Sequence, residues 1–114
     1  MIVRTGVDIE RVARFENRDA SFYEMIFCAD EIAYCNAQSF PAQHFCGMFC
    51  AKEALSKALS GLVSELSYAD LKISHDEHGR PFFILPQCLA GFDVAVSISH
   101  TVDTAVASVV LVAL

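Results

Sequence analysis

The strongest periodic signal in the chain is helical and covers residues 46–62. Its apolar side chains recur at spacings of three and four residues, at Met48, Ala51, Leu55, Ala58 and Leu62. Because such spacing places side chains on one face of an α-helix, the pattern predicts a long amphipathic helix. Two shorter helices are predicted before it, over residues 21–26 and 30–37. The first of these would begin at a capping box formed by Ser21 and Glu24.

Elsewhere apolar and polar residues alternate, which is the pattern of half-buried strands. The apolar run at residues 2–7 predicts a strand that stops at Asp8, followed by one or two helical turns over residues 9–15. Asp8 would then lie at a strand-to-helix junction, where its ordinary role is that of an N-cap. Two hairpins are predicted later in the chain, from these pairs of strands: 71–74 with 82–85, and 94–99 with 105–112.

Together these elements predict an α+β fold in which a largely antiparallel sheet packs against helices. No repeat, linker or low-complexity tract interrupts the chain, so we expect a single domain over residues 1–114. The composition is 54% hydrophobic and 19% charged, which is typical of a packed fold and not of a disordered chain. The apolar fraction is high for a monomer of this size and favours an oligomer.

The net charge and the cysteine content indicate which kinds of binding partner and which cellular location to expect. The formal charge of −6 disfavours binding to nucleic acid or to an anionic membrane surface. Five cysteines without a CxxC pair favour reduced thiols over a disulfide framework. The N-terminus lacks the features of a signal peptide, and the longest late apolar run, residues 105–114, is too short to span a bilayer. We therefore expect a soluble protein of the cytoplasm.

The polar side of the 46–62 helix carries four candidates for chemistry: Lys52, Glu53, Ser56 and Lys57. The ordinary interpretation is a solvated face, on which Glu53 and Lys57 form an i,i+4 ion pair of about 0.2–0.5 kcal/mol. Considered together with Asp8, the arginines that follow it and His100, the same residues offer what phosphoryl transfer requires. Two carboxylates can hold a divalent cation, and a lysine beside them can face phosphate charge.

Longer segments extend this pattern. The chain contains GVDIERVARF at 6–15, FCAKEALSKAL at 49–59 and VSISHTVDTAVASVV at 96–110. In this order they resemble the holo-[acyl-carrier-protein] synthases of the 4′-phosphopantetheinyl transferase superfamily. FCADEIAYC at 27–35 and DLKISHDEHGRPFFIL at 70–85 extend the resemblance nearly from end to end. Asp8 and the KExxxK motif together are fairly specific for this family, whereas either of them alone would be weak evidence for it.

The resemblance implies transfer of the phosphopantetheine arm from coenzyme A to a serine of an acyl carrier protein, with release of adenosine 3′,5′-bisphosphate. Such a step belongs to fatty acid biosynthesis or to a more specialised synthesis. Asp8 and Glu53 would take the positions of the magnesium ligands. Lys57 would face the pyrophosphate with help from Lys52, and Glu53 or a water on the metal would accept the serine proton. The nucleotide would also be held by the segment Ser99, His100 and Thr101.

The resemblance also implies how partners bind. Family members of this short type form homotrimers with active sites between subunits, which agrees with the excess of apolar residues. Arg14 would face the acidic recognition helix of the carrier protein, and Arg11 and Arg18 would add to the same basic surface. An acidic enzyme can recruit an acidic partner in this way when its few cations gather at the docking surface.

The chain departs from the family pattern at three places. Met48 stands where an arginine usually precedes the KE motif, Gly61 is alone where a glycine-rich turn is usual, and Cys28 replaces a Ser or Thr cap. Loss of a charged phosphate contact that nothing replaces would weaken coenzyme A binding by about 1–3 kcal/mol. A diverged, non-catalytic binding module on the same fold is therefore the alternative function.

A further alternative is a zinc site, because His44, Cys46 and Cys50 lie within a short stretch and the two cysteines share a helix face. No fourth ligand is evident nearby, and cysteines in apolar surroundings are more often part of a core. A Cys–His hydrolase is less favoured still, because no cysteine stands in a recognisable nucleophile setting.

Overall fold

A computed structural model describes residues 1–64 and 66–113 of the chain. These residues form five strands: β1 (Ile2–Arg11), β2 (Lys72–His75), β3 (Pro81–Ile84), β4 (Phe92–His100) and β5 (Thr104–Ala113). They also form three α-helices: α1 (Ala20–Ile26), α2 (Ala29–Asn36) and α3 (Pro41–Leu59). Short 3₁₀ turns cover Val12–Phe15, Tyr68–Asp70 and Gln87–Leu89.

The main sheet has the strand order β1-β5-β4, and both pairings are antiparallel. The central strand, β5, pairs with β1 from Thr104 opposite Arg11 to Ala113 opposite Ile2. The strands β2 and β3 form a separate antiparallel hairpin, which turns near Gly79. That glycine has a φ of +79°, a conformation that costs residues with a Cβ more than it costs glycine. The predicted α+β fold with antiparallel sheets and packed helices is confirmed.

The first strand is longer than predicted, because it continues through Asp8 as far as Arg11. Asp8 pairs with Ala107 in the middle of the ladder, so the prediction of a strand end and an N-cap at this residue is wrong. Asp8 and Glu10 interrupt the apolar run in sequence, but they lie on the less exposed face and leave the backbone ladder intact. The predicted helical turns over residues 9–15 are confined to the 3₁₀ turn at Val12–Phe15.

The helix boundaries also differ from prediction. The carboxylate of Asp19 caps α1 by accepting a hydrogen bond from the Phe22 amide at 3.0 Å, so the capping box of Ser21 and Glu24 is wrong. Helix α3 begins earlier than predicted, at Pro41. Proline is tolerated in the first turn of a helix, because an N–H at this position would have no acceptor within the helix. None of the helices in the described ranges is long and apolar enough to cross a membrane.

Helix α3 lies directly on β1, and the closest approach is at Gly6. A Cβ added to this glycine would lie 1.8 Å from the carbonyl oxygen of Ala54, so a larger residue cannot be accommodated without separating strand and helix. Most of the helix is buried between the sheet and the smaller helices, through these apolar residues: Phe45, Cys46, Met48, Phe49, Cys50, Ala51, Ala54, Leu55, Ala58 and Leu59. This contact fixes β1 against the second half of α3.

Candidate active site

Asp8 and Lys57 meet where β1 crosses α3. Gly6 brings the strand against the helix, and Asp8, two residues later, projects from the same face of the strand. Lys57 Nζ lies 3.2 Å from Asp8 Oδ1 and donates a hydrogen bond to the Val7 carbonyl at 3.0 Å. The Lys57 side chain is 54% exposed, so its ammonium group is accessible to an anionic ligand.

Glu53 lies one turn before Lys57 on the same side of α3. Its Oε1 accepts a hydrogen bond from the hydroxyl of Tyr68, which follows the helix in the chain. Burial, this hydrogen bond and the charge of Glu53 raise the pKa of Tyr68 to about 12, with a smaller contribution from the charge of Asp8. The nearby hydroxyl of Ser56 acts in the opposite direction on this pKa. The hydroxyl of Tyr68 thus bonds Glu53 and lies within range of the charge of Asp8, the residue that pairs with Lys57.

The ion pair at this site is not the predicted i,i+4 pair within the helix, because Lys57 pairs with Asp8 of β1. The two carboxylates provide hard oxygen donors, which suit a magnesium ion. Within residues 1–64 and 66–113, no group of three His, Cys, Asp or Glu side chains is arranged to hold a metal. A set of two carboxylates still fits magnesium, since this ion usually keeps several of its waters and is completed by substrate phosphates.

Lys52 does not lie on the polar face with its neighbour Glu53. Its side chain is 0% exposed, and its ammonium group has three partners: Glu31 Oε1 at 2.7 Å, the Tyr68 carbonyl at 2.8 Å and the Ile26 carbonyl at 3.0 Å. Burial lowers the pKa of Lys52, and the hydrogen bond to Glu31 partly offsets this effect. Since its three N–H donors are all used inside the protein, the predicted contact of Lys52 with a phosphate conflicts with this geometry.

The partner of Lys52, Glu31, is buried as deeply and connects further elements. Besides the ammonium group, it accepts hydrogen bonds from the amides of Cys28 and Ile73, each at 2.9 Å. The pair thus joins the start of α2, the start of β2 and the segment that carries Tyr68. Cys28, at the position of the usual Ser or Thr cap, is held here through its backbone amide.

His100 lies at the end of β4 beside a cavity of about 200 Å³, separate along α3 from the carboxylates. Its ring centroid is 5.7 Å from that of His44, and on another wall the ring of Tyr34 stacks on His75 at 4.0 Å. Burial lowers the pKa of His44 and of His75, and in each case a neighbouring imidazole acts in the same direction. Met48 also lines the cavity, about 7.5 Å along the helix axis from Glu53.

The residues on either side of His100 are exposed, and Thr101 has a local role. Its backbone amide donates to the Thr104 carbonyl at 2.8 Å, and its hydroxyl accepts from the Thr104 amide at 3.2 Å. These bonds close the turn between β4 and β5. Ser99 is an exposed residue of β4 next to this turn.

The predicted basic surface lies at the end of β1 and in the residues that follow it. Arg14 forms an ion pair with Glu10 at 2.6 Å, and its guanidinium group lies 4.8 Å from the centre of the Phe49 ring. Arg18 donates to the Arg14 carbonyl at 3.3 Å and lies over the Phe22 ring at 3.8 Å. Arg11 is exposed at the end of the strand. Arg14 and Arg18 are thus held on aromatic rings with their charges near solvent.

The zinc interpretation is not supported by the positions of the three predicted ligands. Cys46 and Cys50 are buried, and their thiols face the backbone carbonyls of Glu10 and Ala105, each at 3.6 Å. His44 lines the cavity beside His100 instead. The two thiols therefore belong to the contact between α3 and the sheet, which also removes the basis for a Cys–His hydrolase.

Tyr68 and Glu31 are the site residues that the sequence analysis missed. Tyr68 has no motif of its own and becomes notable only through its contact with Glu53. The sequence does contain a signal that Lys52 is buried beside an acidic partner. Lys52 follows Met48 by four residues and precedes Leu55 by three, so it lies on the buried stripe of the helix and requires a buried acid.

Comparison with known proteins places the chain in a family. The family model of the 4′-phosphopantetheinyl transferase superfamily matches residues 4–110. The chain is 40% identical to a holo-[acyl-carrier-protein] synthase of Geobacter sp. (strain M21), over an alignment of 124 positions that covers 97% of this chain and 98% of the relative.

Solved structures give the same result. A holo-(acyl-carrier-protein) synthase from Bacillus anthracis in complex with CoA (3′,5′-ADP) matches with a TM-score of 0.82 and 34% identity, covering 95% of this chain and 94% of that chain. The Helicobacter pylori holo-[acyl-carrier-protein] synthase in complex with coenzyme A also has a TM-score of 0.82, with 32% identity and coverage of 95% and 99%. The chain therefore belongs to the 4′-phosphopantetheinyl transferase superfamily.

Proposed function

We propose that this protein is a holo-[acyl-carrier-protein] synthase, which transfers 4′-phosphopantetheine from coenzyme A to a serine hydroxyl of an acyl carrier protein. The relatives matched over nearly their whole length carry this name, and two of the similar structures contain coenzyme A or its nucleotide part. The observation that carries the proposal for this chain is the contact between Asp8 of β1 and Lys57 of α3, one turn after Glu53 on the same side of the helix.

Asp8 and Glu53 are the residues that would hold a magnesium ion. Their oxygens come from a strand and a helix whose separation is fixed at Gly6, so the two carboxylates are held on a rigid frame. When bound, the ion would neutralise charge on the pyrophosphate of coenzyme A as the phosphoanhydride bond breaks.

Lys57 supplies the positive charge for the leaving group. Its ammonium group already interacts with Asp8 and the Val7 carbonyl, and its exposure lets it contact a phosphate oxygen of adenosine 3′,5′-bisphosphate as negative charge develops there. In the transfer step the serine Oγ bonds to the β-phosphorus of coenzyme A, and the bond from that phosphorus to the bridging oxygen breaks. The serine proton passes to Glu53 or to water.

The nucleotide part of coenzyme A has a candidate place in the cavity beside His100. The cavity contains imidazole and phenol rings that can contact a base or a phosphate, and it lies along α3 from the carboxylates. Met48, which stands where family members usually have an arginine, supplies no charge to this cavity. We therefore expect the histidines and the exposed Ser99 and Thr101 to provide the polar contacts.

The carrier protein is proposed to dock on Arg11, Arg14 and Arg18. Cation–π contacts hold Arg14 and Arg18 in place, which lowers the entropic cost of presenting them to acidic side chains. Arg14 is partly neutralised by Glu10, so a carboxylate of the partner would have to compete for this guanidinium group.

We also propose a homotrimer. The face of the main sheet that points away from α3 carries exposed apolar side chains on β1: Val3, Val7 and Ile9, with exposed fractions of 57%, 58% and 67%. An apolar strand face of this kind favours contact with another subunit. The expectations of a single domain over residues 1–114, of a cytoplasmic location and of a role in fatty acid biosynthesis stay predictions.

The test is a transfer assay with coenzyme A, Mg²⁺ and several purified apo acyl carrier proteins, read as the gain of a phosphopantetheine mass on the carrier. Asp8→Asn and Glu53→Gln should each lower kcat/KM by about 100-fold or more, and Lys57→Ala should lower kcat strongly. Glu24→Gln is the matched control, because Glu24 is an exposed acid outside the site. Full activity in either carboxylate variant would refute the assigned site. Coenzyme A binding without transfer to any carrier would favour the alternative, a non-catalytic binding module.

A further inference from the structure

Tyr68 has a place in the site that neither a sequence motif nor the family comparison assigns. Its hydroxyl donates a hydrogen bond to Glu53 Oε1, so one oxygen of this carboxylate is engaged by the protein. The aromatic ring packs edge-on against Phe49, with the centroids 6.0 Å apart and the planes at 86°. The tyrosine therefore contacts both the carboxylate and the core.

The backbone at Tyr68 is fixed as well. Its carbonyl accepts a hydrogen bond at 2.8 Å from Lys52, the residue next to Glu53 in the helix. Lys52 is in turn held by the buried carboxylate of Glu31, which is bonded to two backbone amides. The hydroxyl of Tyr68 thus extends from a buried, fully bonded network that connects it to the same helix that carries Glu53.

We propose that Tyr68 is a positioning residue for Glu53, which holds Oε1 so that Oε2 points towards Asp8 and a divalent cation. This inference rests on the proposed function, since it concerns the same metal site. A glutamate side chain has several rotamers, and a hydrogen bond to one oxygen removes part of this freedom before the cation binds. The phenol is well suited to the role, because it donates one hydrogen bond and keeps its ring in apolar contact.

The test uses Tyr68→Phe, which removes the hydroxyl and keeps the ring. The affinity for Mn²⁺, a paramagnetic substitute for Mg²⁺, is measured by electron paramagnetic resonance without coenzyme A or carrier protein. We expect about a tenfold loss of Mn²⁺ affinity, the effect typical of removing a hydrogen bond to a metal ligand. Tyr23→Phe is the matched control, because among the described residues the Tyr23 hydroxyl bonds only the Phe15 carbonyl, at 2.6 Å. This variant should leave the affinity unchanged.

A second measurement separates positioning from a general loss of stability. In a Glu53→Gln background, Tyr68→Phe should change Mn²⁺ affinity by no more than about twofold, because the group on which the tyrosine acts is already altered. In the transfer assay at saturating Mg²⁺, Tyr68→Phe should lower kcat while the KM for coenzyme A changes little. An equal loss of affinity in both backgrounds would show that the hydroxyl does not act through Glu53.

The outcomes also distinguish this inference from the proposed function. If the wild-type protein binds Mn²⁺ and transfers phosphopantetheine, but Tyr68→Phe does both equally well, only the role of Tyr68 is refuted. If the wild-type protein neither binds Mn²⁺ nor modifies any carrier, both proposals are wrong. Thermal denaturation of the variant shows whether the measured species is folded, and the Glu53→Gln comparison then identifies the cause of any change.

Discussion

Replacing Lys52 by methionine should destabilise the protein far more than the loss of an ordinary lysine. Methionine matches the length of the buried stem but lacks the ammonium group. Glu31 would remain buried with two amide partners and no positive charge, and the carbonyls of Ile26 and Tyr68 would lose their donor. Breaking a buried ion pair by removing one partner typically costs about 3–5 kcal/mol, because the other charge stays in the interior.

The expected loss can be converted to a change in melting temperature. A chain of 114 residues has an entropy of unfolding of about 0.24 kcal/mol per kelvin near its midpoint. A loss of about 3–5 kcal/mol then lowers Tm by about 12–20 °C. Since proteins of this size are stable by only about 5–15 kcal/mol, the variant should be close to the limit of folding at physiological temperature.

The assay is urea denaturation followed by circular dichroism, with the free energy of unfolding extrapolated to water. Lys57→Met is the matched control: it removes the same charge from an ion pair whose lysine is exposed to solvent, and such a pair contributes about 1 kcal/mol or less. The double variant Lys52→Met with Glu31→Gln should recover part of the loss, because it leaves no unpaired charge in the core.

The reasoning would be refuted by a loss below about 1 kcal/mol, indistinguishable from that of Lys57→Met. It would also be refuted if the double variant were less stable than Lys52→Met alone. Either result would mean that the charge of Glu31 is compensated by its two amide donors and not by the lysine.

Two further predictions concern other parts of the site. Gly6→Ala should lower the free energy of unfolding by more than about 1–3 kcal/mol and weaken Mn²⁺ binding, because the added Cβ would collide with the Ala54 carbonyl and displace Asp8. Gly91→Ala is the control, because the described residues leave open space around Gly91. Equal urea midpoints for the two variants would contradict the assigned contact. The pKa values of His44 and His75 are lowered from 6.5 by burial and by a neighbouring imidazole, so the unfolded chain takes up protons first as the pH falls. Their contribution to stability is complete above about pH 6.5 and is lost below it, and His44→Gln with His75→Gln should flatten this part of a stability–pH profile measured without ligand.

The types of the main elements could be predicted from the sequence because each is a periodic property. The three- and four-residue spacing around Leu55 specified a helix, and the alternation from Val94 to Ser99 specified a strand, without knowledge of any partner. Boundaries were less predictable. Asp8 continues β1 because the ladder with β5 satisfies its backbone, and this pairing lies about a hundred residues away in the chain.

The site was predicted in part. The sequence identified Asp8, Glu53 and Lys57 as candidates, but the pairing of Lys57 with Asp8 depends on how closely β1 approaches α3 at Gly6. Tyr68 could not be predicted, because its role depends on the path of the chain after α3 ends. Such tertiary contacts leave no periodic signal in a single sequence.

Lys52 and Glu53 are adjacent in the KE motif, yet they serve different parts of the structure. Consecutive side chains on a helix differ by about 100° in direction, so two neighbours cannot serve the same surface. Lys52 points into the core towards Glu31, whereas Glu53 accepts a hydrogen bond from the hydroxyl of Tyr68. Because the Tyr68 carbonyl bonds Lys52 and its hydroxyl bonds Glu53, one residue connects both directions. The buried lysine therefore supports the candidate metal site from behind, and its charge is needed for structure even though it has no free donor for a phosphate.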